Sequence, residues 1–293
     1  MLEVRHLTRR FGDLLAVDDV SFSVPAGKMI GFVGGNGAGK TTTMRMIMGL
    51  LSPHGGEVLW DGAPISTQIR SDIGYMPEER GLYPKQAVLD QLVYLGELKG
   101  STKQAATAEA TALLERFGLG ERTKDKLEKL SLGNQQRVQI AASVMSNPVA
   151  LILDEPFSGL DPKGIDEMAG LLADEAARGV PVLFSSHQLD LIDRLCDGLV
   201  ILAGGKVVAQ GTKDELESRG PLRHRLVVDG DLTWLRGLPG IEVDSIDGGT
   251  ALLRLQQPGL ERQILSTALE RGNVIEFAQV RPTLSEIYRE VAA

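Results

Sequence analysis

A chain of 293 residues with 43% hydrophobic and 24% charged side chains has the composition of a folded protein and the length of two domains at roughly 100–200 residues each, which excludes disorder as its main state. Lys and Arg number 31 against 39 Asp and Glu, a net charge of -8, which argues against a nucleic-acid protein working through a broad basic face. The single cysteine, Cys196, excludes an intramolecular disulfide and fits a reducing compartment.

The amino-terminal stretch MLEVRHLTRRFG is charged and lacks the apolar run of a signal peptide. Nowhere do the roughly 18–20 apolar residues needed to cross a bilayer follow one another. The expected location is the cytoplasm, with any membrane role passing through a partner. Apolar runs at Met29–Val33, Ala150–Leu153, Val180–Phe184 and Leu199–Leu202 predict strands buried on both faces. Their alternation with helical stretches predicts an α/β fold with a largely parallel sheet over about the first 215 residues. Strand signals fade between Tyr83 and about Asn147. There Val88, Leu89, Leu92, Val93 and Leu95 sit at helical spacing, and the Ala-rich stretch Gln104–Phe117 follows, which predicts a helical subdomain inserted at about 83–147. Cys196, a lone thiol amid apolar residues, reads as a small core side chain.

Thr212-Lys-Asp-Glu215 spells a capping box for a short helix, and Arg219-Gly-Pro221 breaks it. The expected domains are therefore 1–218 and 221–293. The second reads as a small α+β unit: Leu222–Val228 strand, Leu232–Leu238 turn or short helix, Ile241–Ile246 and Ala251–Leu255 strands, Leu260–Arg271 helix, Val274–Val280 strand. That order resembles a split βαβ sandwich. A last helix begins at Thr283 with Glu286 completing a capping box, and Leu284, Ile287, Tyr288 and Val291 form a stripe read as core packing.

Gly34, Gly35, Asn36, Gly37, Ala38, Gly39, Lys40 and Thr41 match G-x-x-x-x-G-K-S/T, between a buried strand and a helix that starts near Lys40, and with Thr42 they are the expected ATP-binding residues. Glycines let successive backbone N–H groups turn around a polyphosphate, and the helix adds its positive end. Lys40 is expected on the β and γ phosphates and Thr41 on magnesium. The absence of an N-K-x-D motif argues against a GTPase. The second signal is Val149-Ala-Leu-Ile-Leu-Asp-Glu-Pro156, where a hydrophobic strand delivers two carboxylates at its carboxyl end. Successive residues diverge, so Asp154 is assigned to the magnesium shell and Glu155 to polarising the attacking water.

With Leu130-Ser-Leu-Gly-Asn-Gln-Gln-Arg137 lying between those motifs, the chain resembles an ATP-binding cassette (ABC) ATPase over about residues 1–215. The resemblance implies a P-loop NTPase core in which Phe11 stacks on adenine. Glu78 stands where the family usually has the glutamine of the Q-loop, here grouped with Thr41 and Asp154 at the metal. Ser158-Gly-Leu-Asp161 resembles the loop that crosses between subunits. His187, 33 residues beyond Asp154 (187 − 154), resembles the switch histidine at the γ-phosphate. Ser131 and the Gly133 amide, with Asn134 and Gln135 beside them at a helix start, form a second anion-binding surface. The resemblance implies that this surface meets ATP held by the opposite subunit, in a homodimer or a heterodimer with a second ABC ATPase.

Three departures stand out. Leu132 and Asn134 replace a Gly and the Gln of the common LSGGQ spelling, and Leu132 requires φ below zero or an outward Cβ. Glu78 keeps an oxygen for magnesium but adds charge, which magnesium tolerates. Gly35 replaces a common proline without consequence. Pro77-Glu-Glu-Arg-Gly-Leu-Tyr-Pro-Lys85 and the tail Arg281-Pro-Thr-Leu-Ser-Glu-Ile-Tyr288 resemble a bacterial subgroup that carries a C-terminal domain, pairs with separate membrane subunits and includes sodium and drug exporters. The implied function is the Mg-dependent ATPase motor of an exporter. It would lie at the inner face of the cell membrane through an integral membrane permease, with no nucleic-acid partner. The alternative is a soluble ABC ATPase acting on ribosomes or DNA. Such proteins usually carry two cassettes or a long coiled coil, and neither is spelled here.

Overall fold

The computed structural model describes residues 1–79, 81–219, 222–257 and 259–292, apart from the side chains of Arg219, Leu284, Ser285, Val291 and Ala292. The expected break at Gly220-Pro221, and the side chains of Leu284 and Val291 in the last apolar stripe, lie outside the described residues. Met1–Thr212 and Lys213–Glu290 form separate compact units. The division falls before the short helix at Lys213–Arg219, whereas the Gly-Pro punctuation falls after it.

The first unit runs β1 (Leu2–Phe11), β2 (Leu14–Val24), β3 (Met29–Gly34), α1 (Lys40–Ile47), β4 (Gly55–Trp60), β5 (Ala63–Pro64), α2 (Thr67–Asp72) and β6 (Gly74–Met76). The helical insertion follows as α3 (Val88–Leu98), α4 (Lys103–Arg116) and α5 (Leu132–Val144). The chain then returns to the sheet through β7 (Leu151–Leu153), α6 (Pro162–Ala177), β8 (Val182–Ser186), α7 (Leu189–Leu195), β9 (Gly198–Ala203) and β10 (Lys206–Thr212).

A six-stranded sheet has the order β10-β9-β3-β8-β7-β6. Its neighbours from β9 to β6 are parallel and only β10 is antiparallel. Every residue of β3, β7 and β8 is buried. That is why these strands read as apolar runs, with β8 ending on the buried Ser185 and Ser186: helices and the second sheet cover both faces. Because β3, β8 and β7 are adjacent and parallel, the loops after them open at one sheet edge. The glycine loop, His187 and Asp154–Glu155 lie on those three loops.

The four-stranded antiparallel sheet β2-β1-β4-β5 is not foreshadowed by the apolar runs. The pairing of β1 with β2 shifts register after Val4 and after Leu7, and His6 and Asp19, near those shifts, have φ of +54° and +56°. The shifts interrupt the period-two pattern from which a half-buried strand is read.

The second unit contains α8 (Lys213–Arg219), β11 (Arg223–Asp229), a 3₁₀ turn at Thr233–Gly237, β12 (Ile241–Asp247), β13 (Thr250–Leu255), α9 (Leu260–Arg271), β14 (Asn273–Val280) and, as far as Glu290, α10 (Leu284–Ala292). The sheet order is β12-β13-β11-β14 and each neighbouring pair is antiparallel. Thus β11 and β12 run the same way with β13 between them, the split βαβ arrangement. Leu226, Leu253, Ile264 and Ala268 centre its own core. The capping box is formed: Thr283 N–H donates to Glu286 Oε2 at 2.8 Å, and Glu286 N–H donates to Thr283 Oγ1 at 3.3 Å.

Candidate active site

The loop between β3 and α1 turns on Gly37 and Gly39, with φ of +78° and +102°. A Cβ on Gly39 would stand 2.6 Å from the Ala16 carbonyl, whereas one on Gly37 would meet nothing within 4 Å. Gly39 is thus needed for the close approach and Gly37 for the turn. Lys40 folds back over the loop, its Nζ donating to the carbonyls of Gly34 at 2.6 Å and Gly35 at 3.3 Å. These contacts hold a cation at the mouth of a cavity of about 470 Å³, lined by Phe11, Asn36 to Thr42, Glu78, Asp154 and Glu155. Thirteen residues line it, and among them are most of the residues expected at the nucleotide and metal.

Asp154 is 1% exposed. Its Oδ2 accepts from Thr41 Oγ1 at 2.6 Å and its Oδ1 accepts from Ser185 Oγ at 2.6 Å. Glu155 faces a different environment. Its backbone takes φ of +50°, a left-handed conformation costing a side-chain-bearing residue about 1–2 kcal/mol. Burial pushes its carboxyl pKa up, and the His187 imidazole pulls it part of the way back. His187 Nδ1 lies 3.0 Å from Glu155 Oε2. With the carboxylate ionised, only the ring nitrogen can donate.

The signature segment is elsewhere. None of Ser131, Gly133, Asn134, Gln135 and Asp161 lines the cavity. Ser131 caps α5, its Oγ accepting from Asn134 N–H at 3.4 Å, and Gln135 Nε2 donates to the Leu130 carbonyl at 2.9 Å. Asp161 caps α6, accepting from Gly164 N–H at 3.0 Å, and takes a second bond from Arg137 Nη2 at 3.1 Å. A Cβ on Gly133 would sit 3.0 Å from the Gly159 carbonyl, so the two loops touch each other. Leu132 begins a right-handed helix with its side chain 60% exposed, which satisfies both conditions its sequence position set. Cys196 is half-buried and burial pushes its thiol pKa far up, the opposite of a nucleophile's environment.

Three polar residues with structural roles at this site escaped the sequence reading. Ser185 bridges Asp154 and the Glu155 N–H, to which its Oγ is 2.7 Å. Gln136 donates to the carbonyls of Glu155 and Pro156, and Gln139 donates to the Pro77 carbonyl at 3.3 Å beneath Glu78. No spacing rule singles out a glutamine that bonds to backbone from a neighbouring element.

Residues 17–158 match the ABC transporter family, and residues 211–292 match the ATP-binding protein DrrA1-3-like C-terminal domain. The uncharacterized ABC transporter ATP-binding protein YhaQ of Bacillus subtilis is 41% identical over 291 residues, covering 99% of this chain and 98% of the relative. The Nod factor export ATP-binding protein I of Burkholderia lata is 36% identical over 218 residues, 73% of this chain and 72% of the relative. Among solved structures, the dimeric bacterial ABC transporter cassette MJ0796 superposes with a TM-score of 0.67 at 25% identity, covering 72% of this chain and 98% of that one. A cavity built from a glycine loop, a lysine and paired carboxylates on a parallel sheet, together with these likenesses, places the chain among the ATP-binding proteins of ABC transporters: it is an ATPase cassette with a DrrA1-3-like C-terminal domain.

Proposed function

We propose that this cassette is the motor of an exporter. Two cassettes, either two copies of this chain or this chain and a related one, close on two ATP molecules and drive a separate integral membrane subunit at the inner face of the membrane. The observation that carries the reading is the separation of the two phosphate-binding surfaces within one chain. Ser131 and Gly133 open a helix, where backbone N–H groups attract anions, yet they do not line the cavity that holds Lys40. A nucleotide held by Lys40 meets such a surface when a second cassette supplies it, and the dimeric solved relative supports that assembly. The Nod factor relative is an export protein by name. No helix among the described residues is long and apolar enough to cross a membrane, which fits a motor that reaches the bilayer through another subunit.

The chemistry is hydrolysis of ATP to ADP and phosphate. Phe11, 46% exposed at the cavity rim, offers its ring face to adenine. Lys40 exchanges its two loop carbonyls for the β and γ phosphates. Glu155 takes a proton from water as the water oxygen joins the γ-phosphorus and the bond to the β-phosphate oxygen breaks. His187 holds the Glu155 carboxylate through Nδ1. When the ring is protonated, its Nε2–H is left for a γ-phosphate oxygen. The converging hydroxyl of Thr41 and carboxylate of Asp154, with Glu78 lining the same cavity, are the hard oxygen donors magnesium takes. These three residues would hold it, and when bound it neutralises charge on the phosphates.

A tagged Glu155→Gln protein, purified from detergent extract with ATP, is expected to bring down an integral membrane subunit encoded for the same transporter. Recovery with ribosomes or DNA instead would overturn the transport reading in favour of the soluble alternative.

A further inference from the structure

Glu155 carries the base in the reading above, yet its backbone rests where an L residue is not at ease, at φ of +50°. Such a conformation persists only when neighbours over-determine it. Two side chains do so here, beside the local turn bond from the Ser158 N–H to the Glu155 carbonyl at 3.2 Å. On one side the Ser185 hydroxyl accepts the Glu155 N–H at 2.7 Å. On the other, Gln136, 8% exposed on α5, donates from Nε2 to the carbonyls of Glu155 at 3.2 Å and Pro156 at 2.9 Å. Two carbonyl acceptors at one end of the amide fix that end as the nitrogen, and they use both of its protons. Gln136 does not line the cavity, and with both amide protons given to backbone carbonyls it keeps none for a phosphate on either side of the interface.

We propose that Gln136 is a positioning residue for Glu155, a role that rests on the assignment of Glu155 as the base. Its amide pins the left-handed turn from outside and so aims the carboxylate into the cavity. Without it the turn relaxes toward negative φ and the carboxylate swings out of line with the attacking water. A displacement of about 1 Å at a reacting group costs up to about 100-fold in rate.

Gln136→Met keeps the buried volume and removes both donors. ATP affinity and single-turnover hydrolysis of radiolabelled ATP are measured for Gln136→Met, for Glu155→Gln and for the double variant. The expected result is a loss of hydrolysis of about 10- to 100-fold in the single Met variant, with ATP affinity unchanged. Added to Glu155→Gln, the same substitution is expected to cost nothing more, because there is no base left to aim. An equal loss in both backgrounds, or a fall in ATP affinity by a folded variant, overturns the proposal and leaves Gln136 a packing role. Should the Met variant lack a cooperative thermal transition, Gln136→Asn carries the same cycle: its amide is one methylene too short to reach both carbonyls. Near-normal hydrolysis by Glu155→Gln alone would instead sink the assignment of the base, whatever Gln136 does.

Discussion

Asp154 and Glu155 are adjacent carboxylates whose surroundings push them into different work. Asp154 is buried and accepts from two hydroxyls, so its charge is matched on both oxygens. Glu155 is desolvated, which raises its pKa against the opposing pull of the His187 imidazole and, more weakly, of Lys40, the condition under which a carboxyl becomes a useful base near neutral pH. Glu155→Gln is expected to retain ATP binding and lower turnover by about 10²–10⁴, roughly 3–5 kcal/mol of barrier, in a steady-state phosphate-release assay. The acidic limb of the wild-type pH profile should fall at a pH above the ordinary Glu value of about 4.3, and it should vanish in the variant. Stability moves the other way. The folded carboxyl binds its proton more tightly than the unfolded one, so the ionised form costs stability above the folded pKa and nothing below about pH 4. Glu155→Gln should therefore raise Tm near neutral pH and leave it unchanged at about pH 4, as read by calorimetry.

At the scale of elements, α1 supplies Lys40 and Thr41 to the cavity, while α5 braces the site from behind. Its N-cap serine opens the signature segment, Gln136 reaches the loop after β7, and Gln139 reaches the loop after β6. The contact depends on how closely α5 lies on the sheet: a Cβ on Gly74 in β6 would stand 2.0 Å from the Ser143 carbonyl and 2.6 Å from Leu151 Cδ2. Neither backbone can yield that distance without moving. Gly74→Ala is expected to destabilise the protein by at least about 1–3 kcal/mol, seen as a lower midpoint in urea unfolding, and to reduce turnover as α5 shifts. The buried strands of this unit were legible because each carries an unbroken apolar run, with the buried Ser185 and Ser186 closing β8, whereas β1 and β2 were not, because local register shifts near His6 and Asp19 break their alternation.

For the whole molecule, the Ser131 surface does not line the Lys40 cavity, so in the dimer proposed above one cassette would be half of two sites. Hydrolysis would then remove the charge that bridges them and let the partners part, a switch set by the difference in ligand binding between two states. Ser131→Arg places a bulky cation at a helix start, where it fills the anion surface and opposes the helix dipole. Each subunit should still bind ATP, while sedimentation with ATP should show monomers where a Glu155→Gln protein shows dimers. Dimers formed by Ser131→Arg in the Glu155→Gln background would count against recognition across the interface.

The glycine loop could be read without coordinates because backbone approach to phosphate restricts which residues fit at fixed spacing, the carboxylate pair because an apolar strand precedes it, and the signature segment by its resemblance to the family's spelling. The order of elements in the small C-terminal unit was legible from local pattern: its strands and helices carry their own apolar periods, and the last helix its own capping box. Only the tertiary structure decided that Ser185 joins Asp154 to the Glu155 N–H, that Gln136 holds the turn at Glu155, and that the signature helix stands apart from the cavity. Those contacts join residues distant in the chain, at Glu155 and Pro156 through backbone groups present at every position, so no local pattern of side chains can announce them.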